Sequence, residues 1–382
     1  MPPSEDYDFI IAGGGCAGLS LLHALIREGV AGGKRILVVD RDPKERNDRT
    51  WCFWEAAAGP FQPIVYKEWE ALNFFSDGFA RRLDIAPYRY KLIRGIDFYR
   101  FCHEEASRYP GIRFLRQPVE QLFTDERGAG IRCGGEEYRA RYVFSSLYER
   151  PAPRPGQHWL LQHFTGWVIE TDAPAFDPEV ATLMDFRTAQ AEGTTFFYVL
   201  PFSPTRALVE YTLFTDRLLP KEAYEAALDA YIRDRIGGPG FTVTEREYGV
   251  IPMTNHRFPR HAGNIVYTGT AGGQTKGSSG YTFRNIQQHS AALARSLKQQ
   301  GHPFAVEATP RRFGFYDSVL LDILAARSLE GADIFTRLFR GNRAADVFRF
   351  LDNDSALHQE LRLISTLPTL PFARAALRQL RT

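Results

Sequence analysis

The sequence predicts a mixed α/β (α+β) fold, with a nucleotide-binding βαβ unit at the N-terminus, an antiparallel sheet after it and a helical region at the C-terminus. Three observations carry this expectation. A glycine-rich turn follows an apolar run at Gly13–Gly18, strand-like runs crowd residues 158–248, and residues 311–382 place apolar pairs between arginines.

Tyr7 to Ala12 reads YDFIIA, a short apolar run rich in strand formers. Gly13-Gly14-Gly15-Cys16-Ala17-Gly18 then supplies G-x-G-x-x-G, and Leu19, Leu22, Leu25 and Ile26 recur at helical spacing. A second strand, Arg35 to Val39, ends in Asp40, 22 residues after Gly18. This is the context that a Rossmann-type dinucleotide site requires. Gly13 permits the tight turn, Gly15 lets the backbone approach a pyrophosphate, and Gly18 allows close packing of helix on strand. The helix N-terminus points unpaired N–H groups at the phosphates, and Asp40 is placed to accept hydrogen bonds from the adenosine ribose. The motif alone does not separate FAD from NAD; its position at the start of the chain favours FAD.

Phe9 to Ile26 carries no Asp, Glu, Lys or Arg, yet it is not read as a signal peptide or a membrane span. Glu5, Asp6 and Asp8 precede it where a signal peptide needs basic residues, and four glycines interrupt it. No other apolar run is long enough to cross a bilayer, so any membrane contact is expected to be peripheral.

Further along, helical spacing returns from Gly95 to Tyr109, followed by a strand at Ile112–Leu115, a meander at Val119–Phe123 and Ile131–Cys133, and a buried strand at Tyr142–Phe144. Pro151, Pro153 and Pro155 mark a linker. Gly166–Glu170, Thr194–Leu200 and Arg206–Phe214 read as strands of one antiparallel sheet. Pro220 to Arg235 is a helix by periodicity, Asn264–Thr268 a strand, and Thr282–Gln299 a helix after a glycine-rich loop. From 311 to 382 there are eleven Arg, no Lys and eight acidic residues, interspersed with Ile334-Phe335, Leu338-Phe339, Val347-Phe348 and Phe350-Leu351. Short amphipathic helices with basic faces fit this, either as a cap packed on the rest or as a surface resting on anionic lipid. The expected organisation is a discontinuous FAD-binding domain, 1–150 and 245–310, with part of 50–90 facing a substrate domain at 151–244, and a helical cap at 311–382.

Composition narrows the function classes. The 382 residues have room for two or three domains at about 150 residues each. A net charge of +2 gives no field for nucleic acid. Cys16, Cys52, Cys102 and Cys133 form no C-x-x-C pair, and the nine histidines lack ligand spacing, so neither a metal nor a disulfide scaffold is expected and a reducing, cytoplasmic compartment is. The 29 Phe, 17 Tyr and 5 Trp fill a core or in part line an apolar cavity.

Several segments resemble the bacterial flavin-dependent lycopene beta-cyclases. Asn47-Asp-Arg-Thr-Trp-Cys-Phe-Trp54 and Tyr248-Gly-Val-Ile-Pro-Met-Thr254 are similar to segments of that family. Gly269-Thr-Ala-Gly-Gly-Gln-Thr-Lys-Gly-Ser-Ser-Gly-Tyr-Thr-Phe283 looks like its second flavin loop, and Arg206-Ala-Leu-Val-Glu-Tyr-Thr212 like the segment holding its essential acid. The resemblance spans roughly residues 6 to 290. It implies that Gly269, Gly272, Gly273 and Gly280 join Gly13, Gly15, Gly18 and Asp40 in holding FAD, and that Glu210 is the general acid. Two positions depart from the pattern. Thr270 stands where related hydroxylases carry Asp, and Tyr211 stands where many cyclases carry a second acid, leaving Glu210 to act alone or with a distant partner.

The implied reaction is a redox-neutral cyclisation of the carotenoid lycopene to gamma-carotene and beta-carotene. Reduced FAD would stabilise the cation, with NADPH or NADH needed only to reduce the flavin, at the inner face of the cell membrane. Glu210 suits the acid's task because it is the only acid in a run of apolar and aromatic residues, sharing a face with Leu208 and Thr212, and burial raises a carboxyl pKa. The alternative is an FAD-dependent monooxygenase or a geranylgeranyl-reductase-like enzyme acting on an isoprenoid lipid. A flavin-bound carotenoid carrier is the non-enzymatic reading.

Overall fold

The computed structural model describes residues 6–152, 154–237 and 240–380; Glu5 and Pro153, named above, lie outside the described residues. Strand Asp6–Ala12 is flanked in parallel by Ile36–Val39 and Glu136–Ser145, and these in turn by Ile112–Leu115 and Ile265–Tyr267. Such a strand is covered on both faces along its inner part, which is why Phe9 to Ala12 is a continuous apolar run, while Asp6 and Asp8 lie at its more open start. Phe9 and Ile11 pack against Leu19, Leu22 and Leu25 of helix Cys16–Arg27 and Leu293 of helix Phe283–Gln300. Ile10 and Ala12 face the meander of Gln121–Asp125 and Gly128–Cys133, through Ala129 and Ile131. The helix expected from Gly95 to Tyr109 ends at Ala106.

The second sheet has seven strands in the order Phe241–Thr254, Trp159–Thr171, Arg206–Thr215, Thr194–Ser203, Val180–Asp185, Ala71–Ser76 and Phe79–Asp84. Its pairs are antiparallel except for Val180–Asp185 with Ala71–Ser76. The hairpin over residues 71–84 therefore crosses from the N-terminal part of the chain into this sheet, and the sheet's last strand runs to Thr254, past residue 244. One face packs Trp167, Phe197, Val209 and Tyr211 against helix Lys221–Tyr231, which continues into a π-helical turn, Ile232–Ile236.

The other face, with Phe196, Tyr198, Leu200 and Leu208, packs against the C-terminal helices Arg311–Ala325, Gly331–Gly341 and Ala344–Leu351, followed by Leu357–Ile364 and Thr369–Gln379. Ile334, Phe335, Leu338, Phe339, Val347 and Phe348 are buried in that core, so the apolar pairs of this region face the sheet; Phe350 and Leu351 are half-buried at its edge. A third, three-stranded sheet, Thr50–Glu55, Lys67–Trp69 and Arg89–Arg94, joins the layers. Trp54 stacks on Phe348 of the C-terminal region at 4.5 Å, and Phe53 stacks on Phe283 at 4.8 Å. Among the described residues no helix is long and apolar enough to cross a membrane.

Candidate active site

The glycine turn has the shape its sequence requires. Gly13 has φ of +106°, and a side chain there would collide with Ser146; a side chain at Gly18 would collide with the Gly13 carbonyl and meet Ile11. At Gly15 a Cβ meets nothing within 4 Å, so space lies open in front of the helix Cys16–Arg27. That helix start has no side-chain cap and no acidic residue in its first turn, which leaves its N–H groups free for an anion. Asp40 follows the second strand, with Oδ2 accepting the Gly14 N–H at 2.7 Å.

The second glycine loop packs back onto this turn. Gly269, with φ of +61°, stands where a Cβ would come within 2.8 Å of Ala17; Gly272 closes on the Tyr267 carbonyl, and Gly273 has φ of +77°. Gly280, with φ of +70°, lies where any side chain would collide with Gln162 of strand Trp159–Thr171. Gln162 Oε1, Gln274 Oε1 and Ser279 Oγ are buried here without a hydrogen-bond partner. An open helix terminus, a backbone cradle and orphaned polar atoms suit a dinucleotide with a polar chain, so the residues present fit FAD. The C-terminal helices clamp the loop: Lys276 pairs with Asp317 at 2.9 Å, and Ser278 donates to the same carboxylate.

Beyond Gly280 the loop delivers Tyr281 to the surroundings of Glu210. Cross-strand register places Tyr198, Glu210, Gly166 and Glu247 in one row over four adjacent strands. Glu210 is half-buried in surface terms, yet its carboxyl is enclosed by protein, and burial pushes its pKa well above the ordinary 4.5. The neighbouring Glu247 charge pushes it further; a hydrogen bond from Thr212 at 2.7 Å opposes the rise. Glu247 is raised too, by burial, but hydrogen bonds from Thr50 (2.7 Å) and Glu210 and the charge of Arg49 hold it lower. Burial and the Glu247 charge thus act to keep Glu210 protonated more strongly than Glu247, with Glu247 as the hydrogen-bond acceptor.

Around the pair, Cys52, Tyr90 and Tyr198 are held neutral by burial, their pKa values pushed well above their ordinary ones. Burial likewise raises Tyr281, which hydrogen-bonds Tyr198 and Tyr90. A groove of about 440 Å³ opens between helices Cys16–Arg27 and Phe283–Gln300, lined in part by Phe53, Phe61 and Phe283. A void of about 10 Å³ beside Cys52, Trp54 and Tyr281 shares Phe53, Phe283 and Arg284 with it. The groove thus borders the acid's surroundings through an aromatic wall. Among the described residues no group of three or more His, Cys, Asp or Glu is placed to hold a metal ion.

Residues 8–377 match the family model described as lycopene cyclase protein. The chain belongs to the lycopene cyclase family. It is an enzyme of that family by this match and by its relatives. It is 25% identical to the lycopene beta-cyclase of Paracoccus sp. over 394 aligned residues, covering 97% of this chain and 96% of that one. Among solved structures it resembles a geranylgeranyl bacteriochlorophyll reductase-like protein from Thermoplasma acidophilum (TM-score 0.63, 13% identity, 97% of this chain and 98% of that one). It also resembles a probable FAD-dependent monooxygenase from Pseudomonas aeruginosa (TM-score 0.57, 18% identity, 85% and 98%). These two show the fold.

Sequence reasoning named the glycines, Asp40 and Glu210 as candidates; it gave no role to Glu247, nor to Thr50 and Tyr281 within the segments it quoted. Glu247 is distant in sequence and adjacent in space, so Glu210 does not stand alone. The segment Asn47–Thr50 docks on that partner's strand: Asn47 donates to Glu245 at 3.0 Å, Arg49 to the Tyr248 carbonyl at 2.8 Å and Thr50 to Glu247. One signal was available, a glycine at position 166 inside a strand, which marks close approach of another group.

The native chain holds a proton on Glu210 at pH values where the unfolded chain has released it. This contribution to stability falls as pH rises from 4.5 toward the raised native value. Unfolding free energy measured in denaturant between about pH 5 and pH 8 is expected to decline less steeply for Glu210→Gln than for the parent. Equal slopes would contradict the retained proton.

Proposed function

We propose that this chain closes β-ionone rings on lycopene, giving gamma-carotene and beta-carotene, with Glu210 as the general acid. The observation that carries the reading is a carboxyl group enclosed by protein, in register with Tyr198 and Gly166 and close to Tyr281, where burial pushes its pKa up among groups themselves held neutral by burial. An alkene is a weak base, so protonating it near neutral pH needs an undissociated acid held out of water. Glu210 gives its proton to the terminal C=C of the ψ end, and the neighbouring double bond attacks the tertiary cation. Loss of a different proton leaves the ring, so one proton enters, one departs and nothing is oxidised.

Gly13, Gly15, Gly18 and Asp40 would hold the nucleotide part of FAD, and Gly269, Gly272, Gly273 and Gly280 the flavin side. When bound and reduced, FAD would supply negative charge to stabilise the passing cation, with NADPH or NADH as the source of reducing equivalents. The domain roles follow: 1–150 with 245–310 for the cofactor, 151–244 with the hairpin over 71–84 for the substrate, and 311–382 as the cap that clamps the loop. The rival reading, a monooxygenase or reductase on an isoprenoid lipid, shares the fold but gives no use to a carboxyl protonated in this setting.

The substrate lives in a bilayer, and one surface suits peripheral contact with the inner face of the cell membrane. Leu357 and Leu361 on one helix and Leu370 and Leu377 on the next are each more than half exposed, beside the exposed Arg362 and Arg374.

In a bacterial host that accumulates lycopene, the chain is expected to convert it to a product of unchanged mass that absorbs at shorter wavelength. Glu210→Gln should retain flavin and leave the lycopene untouched. Untouched lycopene with flavin-loaded parent protein, or a product heavier by oxygen or hydrogen, would overturn the assignment. For the lipid contact, Leu361→Glu with Leu377→Glu should weaken co-sedimentation with anionic vesicles by about tenfold or more; equal binding would refute that surface.

A further inference from the structure

The reading of Glu210 as the acid leaves open what keeps it protonated yet ready to give the proton up. We propose that Glu247 is the positioning partner of Glu210 and that Gly166 is the gap across which the two carboxyls share one proton. The inference rests on the proposed function for its catalytic meaning but on geometry for its existence.

Glu210 and Glu247 sit on strands that are not neighbours. Strand Trp159–Thr171 runs between them, with Gly166 opposite both. Adjacent strands are about 4.8 Å apart, so the two glutamate backbones stand roughly 10 Å apart. Two carboxyls meet over that distance only if the residue between them carries no side chain. A Cβ at position 166 would come within 2.9 Å of Glu247 Cγ and 2.9 Å of Leu208 Cδ1. Glycine weakens a strand interior, and here the space of its missing side chain is taken by Glu247, whose Oε1 lies 3.1 Å from that position, and by Leu208 beside Glu210.

The charges around the pair differ on its two sides. Toward Glu210 the facing groups are Tyr198 and Tyr281, with Tyr90 behind them, while Cys52 lies near both carboxyls, and burial holds all four neutral. Toward Glu247 they are Arg49, Thr50 and Glu245, and Glu245 is itself held by Arg206 at 2.7 Å. Two enclosed carboxyls in contact do not both ionise, since the second charge is opposed by the first. The asymmetry puts the shared proton on the side of the neutral tyrosines and the negative charge on the side of the arginine. Glu247 touches no reacting atom in this scheme. It holds the proton of Glu210 by accepting a hydrogen bond, and it orients the acid.

Infrared titration tests the pair without substrate, and rate measurement tests its use. Glu210→Gln should remove a carboxylic-acid carbonyl band that persists at neutral pH in the full-length protein. Glu247→Gln keeps the side-chain volume and removes the charge. It should retain that band while lowering its titration midpoint by about one unit or more, a tenfold loss of protonated acid at a given pH above it. On lycopene in vesicles the same variant should keep KM and lose kcat at alkaline pH, recovering as pH falls. Glu247→Asp should restore part of the shift. A band and an alkaline limb that do not move in Glu247→Gln would overturn the proposal, as would equal loss of kcat at every pH. Gly166→Ala gives an independent check, because its methyl group must push Glu247 away and should lower the same midpoint; an unmoved midpoint there also counts against it. If the band behaves as expected but no pigment is cyclised, the shared proton stands and the function assigned to it fails.

Discussion

A carboxyl group withdrawn from water resists ionisation, and meeting that constraint draws on every layer of this chain. Glu210 is enclosed only because the antiparallel sheet presents it to the face that the C-terminal helices cover. The small sheet contributes Cys52 and Tyr90, and the second glycine loop contributes Tyr281. Remove the cap and the loop loses Asp317; move the loop and Tyr281 leaves the acid. The acid's state is a property of packing as much as of its own strand.

On the proposed reading, the same arrangement explains how a fold shared with oxygenases and reductases could serve a reaction without net oxidation. The glycine turn, Asp40 and the returning loop are general to nucleotide binding, and nothing in them selects a chemistry. In the proposed mechanism, selection lies in the row Tyr198–Glu210–Gly166–Glu247, where one carboxyl with a strongly raised pKa faces neutral groups and its partner faces a cation. On the proposed reading the cofactor side supplies charge and the sheet side supplies the proton. Gly280 and Tyr281 are the joint between them, pressed against Gln162 of the same strand that carries Gly166.

How much of this could be read from sequence follows from the range of each interaction. Gly13–Gly18 and Asp40 are legible because a βαβ unit is local and its motif has fixed spacing. Glu210 is legible because a lone acid among Ala207, Leu208, Val209 and Tyr211 breaks an apolar pattern. Glu247 is not, since Thr242-Val-Thr-Glu-Arg-Glu-Tyr248 alternates like a strand with one face in water, and only register across an intervening strand brings it to Glu210. Part of 50–90 is expected from sequence to face the substrate domain, but the strands of the hairpin over 71–84 are not legible there: their place in the second sheet depends on pairing with a strand about a hundred residues later in the chain. The apolar pairs of the C-terminal region left two readings open, core or lipid surface. The structure assigns Ile334, Phe335, Leu338, Phe339, Val347 and Phe348 to the core, while the exposed leucines lie further on, in the last two helices.

The most direct measurement of the central claim is cyclisation in deuterated water with product mass analysis. An acid whose proton exchanges with solvent, acting on a hydrocarbon, should place one deuterium in each ring formed and change nothing else in the mass. Rings formed without deuterium, or a product that has gained oxygen or a pair of hydrogens, would contradict protonation by Glu210 as the step that starts the reaction.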